Sequence, residues 1–557
     1  MKITKVKISN FKRFQEETFE FGDSVVVAGP NNSGKTTLLQ AIATWSLVLA
    51  RWRELNNYRR SGRGGTYSSA PLARQAFYAV PLRAFDLLWK EYAQWGVIEI
   101  EITLVTKNAD SFTVPVEVIA DSSEQVYVRP KKNTEPDVLR EIADLPQPVF
   151  VPAMTGLGTE EPVYQPPKIQ QLLGQGKPGD VLRNLLGGVH QEQKSWERLT
   201  DSIQAMFGYE LLPPNTGGAH ILAEYRENKG GRNLDIASAG SGFLQVLMLL
   251  TFMHSRQGAV LLLDEPDAHL HVILQDQIYA ELGQAARASN SQLIIATHSE
   301  VVIDSVDPRQ LCSLLGAPTK LVDTKEKAAL IRSLSALTNT DIMLAREKGR
   351  VIYVEGSTDI AILQEWARVL DHRVSKFLIG QFWRPTVSDV RQKGKGIKAH
   401  DHFESLLQVH AEMRGTQLFD RDGKPGPPPK ETKCDGKLLK LYWDRYEIES
   451  YLVHPAALAR FVATKVGETA PLANLDSMKV QMKKLLPGDA VDNPLDKNHM
   501  FDNTKMRDSI LPAILDAAGI SDFPYTRYAE IAAVMLPAEI HPEIVAKLDA
   551  IADHFGL

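Results

Sequence analysis

Residues 29–36 read "GPNNSGKT" and match the pattern G-x-x-x-x-G-K-[ST] at every fixed position. The stretch follows the apolar run 25–28 and precedes an apolar-periodic segment. A glycine-rich loop between a strand and a helix points backbone N–H groups at an anion, so the pattern predicts a phosphate-binding loop. The predicted nucleotide-binding residues of this loop are Gly29, Asn32, Gly34, Lys35, Thr36 and Thr37.

The chemistry of this loop assigns two roles. Lys35 reaches the β- and γ-phosphates of the nucleotide, and the hydroxyl of Thr36 binds Mg²⁺. The segment 260–271, "VLLLDEPDAHLH", adds an apolar strand that ends in two carboxylates. We predict that Asp264 lies at the nucleotide and its metal, and that Glu265 is the general base for hydrolysis.

Three further stretches indicate a class of ATPase. They are the opening "ISNFKRF", the Ser/Gly-rich "SAGSGFLQ" at 238–245 and "ATHS" at 296–299, which ends an apolar run. With the phosphate loop, this combination resembles the ABC-type ATPases, in particular the branch of SMC, RecF and Rad50-like proteins. The sequence of the Ser/Gly turn differs from LSGGQ, the usual motif of that class.

The resemblance implies that Ser241 and Gly242 contact the γ-phosphate held by an opposite subunit, and that His298 senses the γ-phosphate. ATP would then join two ATPase heads in a homodimer. Two plainer interpretations stay open, in which the glycines only begin a helix and His298 is a satisfied polar residue. The family's Q-loop has no clear match, although the segment "FVPAMTG" is a candidate region.

Length and composition limit the remaining possibilities. The chain has 557 residues, enough for two to four domains. Its net charge of −5 gives no global positive field, so a nucleic acid must be held by local basic patches. Cys312 and Cys434 are too few for a disulfide framework or a zinc cluster, which favours a reducing, cytoplasmic location. No signal segment is apparent, and the apolar run 244–253 is too short to span a bilayer, so we expect no membrane association.

The order of segments predicts an α/β protein with two principal domains. An ATPase domain covers 1–345 and contains an insertion at about 155–235, which we expect to be helical and a possible oligomer contact. A second domain covers 346–557 and ends in helices from 447 onward. We also expect helical character over 46–95 and a strand at 374–379.

Acidic residues follow three predicted strands of the second domain. Glu355 and Asp359 follow "VIYV", Asp420 and Asp422 follow "TQLF", and the segment 442–452, "YWDRYEIESYL", contains Asp444, Glu447 and Glu449. The carboxyl ends of strands in an open α/β sheet meet at the edge where ligands bind. Carboxylates collected there repel one another unless a cation neutralises them, and oxygen ligands select Mg²⁺ or Mn²⁺.

The pattern E-x-x-x-D followed by D-x-D resembles a TOPRIM domain, which is a Rossmann-like α/β fold. Joined to an ABC-type ATPase and to "EIESYL", it resembles the OLD (overcoming lysogenization defect) family of ATP-dependent nucleases. That resemblance implies Glu355, Asp359, Asp420, Asp422 and Glu449 as metal ligands, with Glu447 as the alternative to Glu449. It also implies a catalytic lysine, for which Lys505 is the first choice and Lys497 the second.

Plainer interpretations of these acids remain. Asp359 alone could cap its helix, Asp422 could begin a turn with the glycine after it, and Asp444 could be a surface acid. The ordered set argues for the metal site more strongly than any one acid does.

Three basic segments could hold a nucleic acid. They are 51–63, with Trp52 and Tyr58 among its arginines, "RPKK" at 129–132 and "RQKGKGIK" at 391–398. Cations of this kind bind a phosphate backbone, and aromatic side chains can stack on bases. A solvated charged face is the plainer interpretation of the first segment.

The leading hypothesis is an ATP-dependent, Mg²⁺- or Mn²⁺-dependent endonuclease that cuts DNA, most simply double-stranded DNA. By resemblance it acts in defence against phage, beside a partner such as a helicase-like protein. The alternatives are an ATP-switched scaffold with an inactive TOPRIM domain, a primase or a topoisomerase. A primase of this kind usually needs a zinc ribbon, which two cysteines cannot supply, and no segment resembles a topoisomerase gate.

Overall fold

The computed structural model of this protein divides the chain into two compact units, residues 1–335 and 336–557. This division falls N-terminal to the predicted boundary near residue 345. The structure describes the chain except residues 56–57, 59–65, 93–95, 107–109, 153–155, 159, 176, 229, 269, 386–396, 422–431, 435 and 467–470, and except the side chains of residues 174, 272–273, 432–434 and 471.

The first unit contains fifteen strands and nine helices among the described residues. The strands are β1 (Lys2–Phe11), β2 (Phe14–Glu20), β3 (Val25–Ala28), β4 (Ala70–Ala73), β5 (Ile98–Val105), β6 (Ser111–Ala120), β7 (Gln125–Pro130), β8 (Val149–Val151), β9 (Glu210–Leu211), β10 (Glu224–Arg226), β11 (Leu234–Asp235), β12 (Val260–Asp264), β13 (Gln292–Thr297), β14 (Leu311–Ser313) and β15 (Thr319–Lys320). The helices are α1 (Lys35–Leu55), α2 (Pro136–Glu141), α3 (Pro166–Gly174), α4 (Leu182–His190), α5 (Gln193–Phe207), α6 (Ser241–Ser255), α7 (Val272–Ser289), α8 (Glu300–Ser305) and α9 (Thr324–Ala336).

Two large sheets organise the first unit. One is antiparallel, in the order β2-β1-β5-β6-β7-β4, and the other has the order β15-β14-β3-β13-β12-β8. In the second sheet, β14, β3, β13, β12 and β8 run parallel. Strands β12 and β13 are almost continuously apolar and buried, as expected for a parallel sheet covered on both faces. The carboxyl ends of β3, β13 and β12 therefore lie side by side.

The antiparallel sheet follows the alternation of its sequence. On β1, Val6 and Ile8 are buried whereas Lys5 is exposed, as the alternating faces of a strand require. Helix α1 packs its tryptophans, Trp45 and Trp52, into the same core. This core supports the loop between β3 and α1.

The second unit begins with α10 (Asn339–Lys348) and contains a five-stranded sheet. Its elements are β16 (Arg350–Val354), α11 (Ser357–Val369), α12 (Ser375–Leu378), β17 (Trp383–Pro385), α13 (Ala399–Val409), β18 (Arg414–Phe419), β19 (Thr432–Cys434), β20 (Leu438–Tyr442), α14 (Pro455–Val466), α15 (Pro471–Leu485), α16 (Gly488–Asp492), α17 (His499–Asn503), α18 (Leu511–Ala517), α19 (Ala529–Ala533) and α20 (Pro542–Phe555). A 3₁₀ helix spans Ile448–Leu452 and a π-helical turn spans Met506–Ile510.

The sheet of the second unit has the order β17-β16-β18-β20-β19. Strands β17, β16, β18 and β20 are parallel, and β19 runs antiparallel at the edge. The C-terminal helices pack against α11 and the sheet around buried Trp366. The predicted helical end of the chain is confirmed, and the carboxyl ends of β16, β18 and β20 are neighbours.

Two predictions of local structure are wrong. Residues 46–95 are helical only to Leu55, and then give β4 and short 3₁₀ turns among the described residues, because β4 pairs with β7. Residues 375–378 form helix α12 instead of a strand, since β17 takes the position beside β16. In the described part of the chain, no helix is long and apolar enough to cross a membrane.

Candidate functional sites

The loop between β3 and α1 has the backbone of a phosphate-binding loop. Asn32 and Gly34 have φ angles of 61° and 112°, a region that favours glycine. A Cβ atom at Gly34 would lie 2.7 Å from the ring of Phe14, and one at Gly29 would lie 2.7 Å from the Ser33 hydroxyl. The loop therefore has no room for larger residues at its two pattern glycines.

Lys35 lies inside this loop with only 4% of its surface exposed. Its Nζ donates hydrogen bonds to the carbonyl oxygens of Gly29 and Pro30, at 2.8 and 2.9 Å. Burial lowers the pKa of Lys35, and the nearby carboxylates of Glu265 and Asp264 oppose that shift. A buried cation at the start of α1 is a site for an anion such as a phosphate.

Thr36 and Asp264, the two residues predicted to bind the metal of the nucleotide, are in contact. Thr36 Oγ1 donates to Asp264 Oδ1 over 3.0 Å, although the two residues are far apart in the sequence. Burial raises the pKa of Asp264 to about 6, so the carboxylate lacks full compensation. A hydroxyl and a carboxylate at this distance are a donor set suited to Mg²⁺. Thr37, also predicted to bind nucleotide, is buried in the first turn of α1.

Glu265 and His298 meet across the ends of β12 and β13. The Nδ1 atom of His298 lies 3.1 Å from Oε1 of Glu265. This hydrogen bond lowers the pKa of Glu265 and raises the pKa of His298. Glu265 has a φ of 47°, and its amide donates to the carbonyl of Ala296. The bend turns the carboxylate to the carboxyl edge of the sheet, where a base for an attacking water belongs.

Three contacts at this site were not predicted from the sequence. Thr297 Oγ1 donates to buried Asp267 over 2.7 Å, which ties the segment after β12 to β13. Gln245 donates to the carbonyl of Pro266 over 3.3 Å and so joins α6 to the same segment. The side chain of Arg13 lies beside Gly34. The sequence "DEPD" could have indicated the contact of Asp267, because a third acid at this position needs a hydrogen-bond partner once it is buried.

The Ser/Gly turn begins helix α6, with Gly240 at its N-cap. Ser241 is exposed and Gly242 is half-buried. Their predicted contact is with a second copy of the chain, so the single chain does not test it.

Acids from the second unit converge at the carboxyl ends of β16, β18 and β20. Asp420, which follows β18, is only 8% exposed. Burial, together with the charges of Glu355, Asp359, Glu449 and Glu447, raises the pKa of Asp420 to about 9. This electrostatic coupling places the five acids in one cluster, which we call the acidic cluster.

Several of these carboxylates are turned toward backbone amides. Asp359 accepts hydrogen bonds from the backbone amides of Glu355 and Gly356, at 3.0 and 3.3 Å. It therefore caps α11, which is the plainer interpretation that the sequence offered for this residue. Asp420 accepts from the amide of Ile448, at 3.2 Å. Among the described residues, no three His, Cys, Asp or Glu side chains form a ready metal-binding group. Like charges avoid close approach when no cation joins them, which accounts for this arrangement.

Glu449 is a buried member of the acidic cluster with one unsatisfied oxygen. It is 1% exposed, and its Oε1 has no hydrogen-bond partner. Burial raises the pKa of Glu449 to about 8. A buried carboxylate oxygen without a donor is costly, and oxygen ligands in such a cluster suit Mg²⁺ or Mn²⁺.

The other predicted residues of this region lie as follows. Lys505 forms a 3.4 Å ion pair with Asp508, and Lys497 is exposed. Asp444 is exposed. Asp422 lies outside the described residues, so its predicted role as a ligand stays a prediction.

Arg507 was not predicted, and among the described residues its charge acts on three acids of this cluster. Its charge lowers the pKa of Asp359, Glu447 and Glu449 against the effect of burial. It stands two residues after Lys505, so the "KMRD" segment contains two candidate cations, and the role predicted for Lys505 stays a prediction.

The structure describes only some residues of the three basic segments. Trp52 is fully buried in the core, so its predicted contact with bases is wrong. Arg129 pairs with Glu117 and Lys131 pairs with Glu99 on the antiparallel sheet. Residues 59–63 and 391–396 of the other two segments lie outside the described residues.

Two protein-family matches fall within the first unit. Residues 1–46 match the family described as "AAA ATPase domain", and residues 159–304 match the one described as "AAA domain, putative AbiEii toxin, Type IV TA system". No curated protein matches the chain. The first unit therefore carries an ATPase domain of AAA type, with the ATP binding that such a domain implies.

Solved structures of SMC heads are also similar to this chain. One is the "SMC head domain from Thermotoga maritima", at 17% identity and a TM-score of 0.32, covering 58% of this chain and 100% of that chain. Another is an Smc head domain with an extended coiled coil, bound to the C-terminal domain of ScpA derived from Pyrococcus furiosus. It has 13% identity and a TM-score of 0.35, and covers 56% of this chain and 92% of that chain.

Proposed function

We propose that this protein is a divalent-metal-dependent DNA endonuclease of OLD type, controlled by an ABC-type ATPase that dimerises on ATP. The observation that carries the proposal is the acidic cluster, in which Asp420 is surrounded by carboxylates from neighbouring strand ends. Such a concentration of buried charge is unfavourable without a cation and useful with one. A TOPRIM-like second domain is the fold that this proposal requires.

The donor set of the acidic cluster fits a hard cation. Glu355, Asp359, Asp420 and Glu449, with Asp422 from the sequence, would hold Mg²⁺ or Mn²⁺ through oxygen atoms alone. The ions, when bound, supply charge for the scissile phosphate and activate the attacking water. Asp420, which is buried, and Glu355, which is exposed, would orient that water. In hydrolysis the water oxygen bonds to phosphorus, one P–O bond breaks, and the leaving oxygen takes a proton.

The nucleotide site has its own division of labour. Lys35 holds the phosphates, Thr36 and Asp264 hold the Mg²⁺ of the nucleotide, and Glu265 accepts a proton from the attacking water. His298 keeps Glu265 ionised and aimed through their 3.1 Å hydrogen bond. The exposed turn at Ser241 would complete this site in the opposite subunit of a homodimer.

The experiment is a cleavage assay on supercoiled plasmid, linear duplex DNA and structured RNA. Each substrate is incubated with Mg²⁺ or Mn²⁺ and with ATP, ADP or no nucleotide. We expect metal-dependent cutting of duplex DNA, which Asp420→Asn removes. The matched control is Asp371→Asn, because Asp371 is an exposed acid between α11 and α12. Absence of cutting in every condition would favour an ATP-switched scaffold, and cutting of RNA alone would reassign the substrate.

The cellular setting has its own test. The resemblance implies phage defence beside a helicase-like partner, and one matched family description names a toxin of a toxin–antitoxin system. We expect the wild-type chain, but not Asp420→Asn, to slow growth of a bacterial host or to lower phage yield. Equal behaviour of the two at equal expression would contradict this setting.

A further inference from the structure

Arg507 is fixed beside the acidic cluster by its backbone. Its amide donates to Oε1 of Glu447 over 2.6 Å, and its carbonyl accepts from the hydroxyl of Tyr528 over 3.1 Å. It belongs to the π-helical turn Met506–Ile510, a conformation that is rare and frequent at functional sites. The position of Arg507 therefore does not depend on its own side chain.

The side chain of Arg507 is hydrogen-bonded to Asp508 and only approaches Glu449. Its Nη1 lies 4.0 Å from Oε1 of Glu449, which is an ion pair but too long for a hydrogen bond. Its Nε lies 3.0 Å from Asp508, and its guanidinium lies over the ring of Tyr525 at 5.4 Å. The side chain is 32% exposed, whereas that of Glu449 is 1% exposed. The guanidinium thus lies at the solvent side of a buried carboxylate.

In this geometry the charge of Arg507 balances that of Glu449 but provides no hydrogen bond to its carboxylate. Oε1 of Glu449 keeps no hydrogen-bond partner, although a guanidinium with five N–H donors is nearby. A purely structural pair of Arg and Glu normally closes to a bidentate contact of about 2.8 Å. The open distance leaves Oε1 without a hydrogen bond, and the guanidinium already has contacts with Asp508 and Tyr525 that do not depend on Glu449.

We infer that Arg507 is a displaceable counter-ion of the acidic cluster, which yields Glu449 to a divalent cation and then donates to the phosphate of the substrate. This inference rests on the proposed nuclease function for its last step only. The competition between Arg507 and a metal for Glu449 is a property of the chain itself. It assigns the cationic role to Arg507 in place of Lys505.

The test measures Mn²⁺ binding to the full chain by electron paramagnetic resonance, without nucleotide or nucleic acid. Lys35→Ala is used as the background, so that the nucleotide site contributes equally to every variant. Arg507→Ala should tighten the apparent dissociation constant of Mn²⁺ about fivefold, since it removes one competing charge. Arg507→Lys should stay near the parent value. Both substitutions keep the backbone contacts that hold the turn.

The matched control is Arg527→Ala. Arg527 also pairs with a carboxylate, Glu530, and lies over an aromatic ring, that of Phe523 at 5.0 Å. Its removal should leave Mn²⁺ binding unchanged. Unchanged or weaker Mn²⁺ binding in a folded Arg507→Ala variant overturns the inference.

Cleavage is measured separately, at saturating Mn²⁺, in the chain with an intact nucleotide site. Arg507→Ala should slow cutting about 100-fold, the usual cost of losing a donor to a transition-state oxyanion. Tighter Mn²⁺ binding with undiminished cutting overturns the donation to phosphate. If no variant and no wild-type protein cuts, yet Arg507→Ala binds Mn²⁺ more tightly, the nuclease function fails and the counter-ion role stands.

Discussion

The nucleotide site and the acidic cluster both lie at the carboxyl ends of parallel strands, but they treat charge in opposite ways. In the first, the buried ammonium of Lys35 lies among the carboxylates of Asp264 and Glu265. In the second, four carboxylates raise the pKa of Asp420, and Arg507 compensates from a distance. The cation of the first site, Lys35, is buried within the site, whereas Arg507 lies partly exposed at the edge of the second.

This difference explains why the side chains pair with one another in the first site and with backbone amides in the second. Thr36, Asp264, Glu265 and His298 already make the pairs that their roles require. In the acidic cluster, by contrast, Asp359 and Asp420 turn to backbone amides. A site in which carboxylates repel one another is stabilised when a cation binds. The two sites should therefore respond differently to metal, nucleotide and pH.

The largest expected effect separates the two sites completely. Asp420→Asn should lower DNA cutting about 10³-fold or more, because it removes a central ligand and charge from the acidic cluster. ATP turnover should stay within about twofold, since independent sites act additively. Cutting is followed on plasmid DNA and turnover by phosphate release.

The reciprocal variant is Lys35→Ala. It should remove ATP turnover and leave Mn²⁺ binding at the acidic cluster intact. Normal cutting by Asp420→Asn would mean that the cluster is not a metal site.

Glu265→Gln tests the nucleotide site alone. We expect ATP turnover to fall about 10²-fold, because the amide cannot accept the proton of the attacking water. ATP should still bind, so an ATP-bound dimer should accumulate, and its mass is measured by light scattering after size exclusion. Unchanged turnover would remove Glu265 from its role as the base.

Ser241→Arg tests whether the first site is completed by a second copy. A bulky cation on this exposed turn should lower ATP turnover about tenfold through the lost head contact, since rim charges mainly change association. The affinity of the single chain for nucleotide, measured by fluorescence of a labelled ATP analogue, should not change. Ser521→Arg, at an exposed position in the second unit, is the control. Weaker nucleotide binding in the single chain would instead place Ser241 at the nucleotide of its own subunit.

The smallest effect concerns stability and pH. Because the pKa of Asp420 is raised to about 9 in the folded chain, that chain binds a proton that the unfolded chain loses near pH 4. Unfolding free energy in EDTA should therefore fall as pH rises from 6 to 9, by about 4 kcal/mol. Calorimetry should show a lower Tm at pH 9, restored by Mn²⁺.

The same measurement on Asp420→Asn provides the comparison. The variant should be more stable than the wild type in EDTA at high pH, and less dependent on Mn²⁺. A wild-type Tm that rises with pH in EDTA would contradict the proposed repulsion among the carboxylates of the acidic cluster.

Predictability differed between the two sites for a physical reason. The phosphate loop is a local motif, since eight consecutive residues form its backbone and position its lysine. Glu265 and His298 come from different strands, yet each ends an apolar run, so their meeting at one sheet edge could be expected. By contrast, Trp52 in an Arg-rich segment looked exposed and is buried, because the side to which a helix packs depends on distant strands.

The sequence by itself determined the phosphate loop, the strands that end in acids and the order of the two units, because these depend on contiguous residues and on alternation. Only the tertiary structure decided that Arg507 lies 4.0 Å from Glu449 while Lys505 pairs with Asp508, and that Glu449 keeps an unpaired oxygen. Those facts depend on a π-helical turn and on burial by helices far away in the chain. Charge balance at a site is a sum over neighbours in space, which the linear order of residues does not contain.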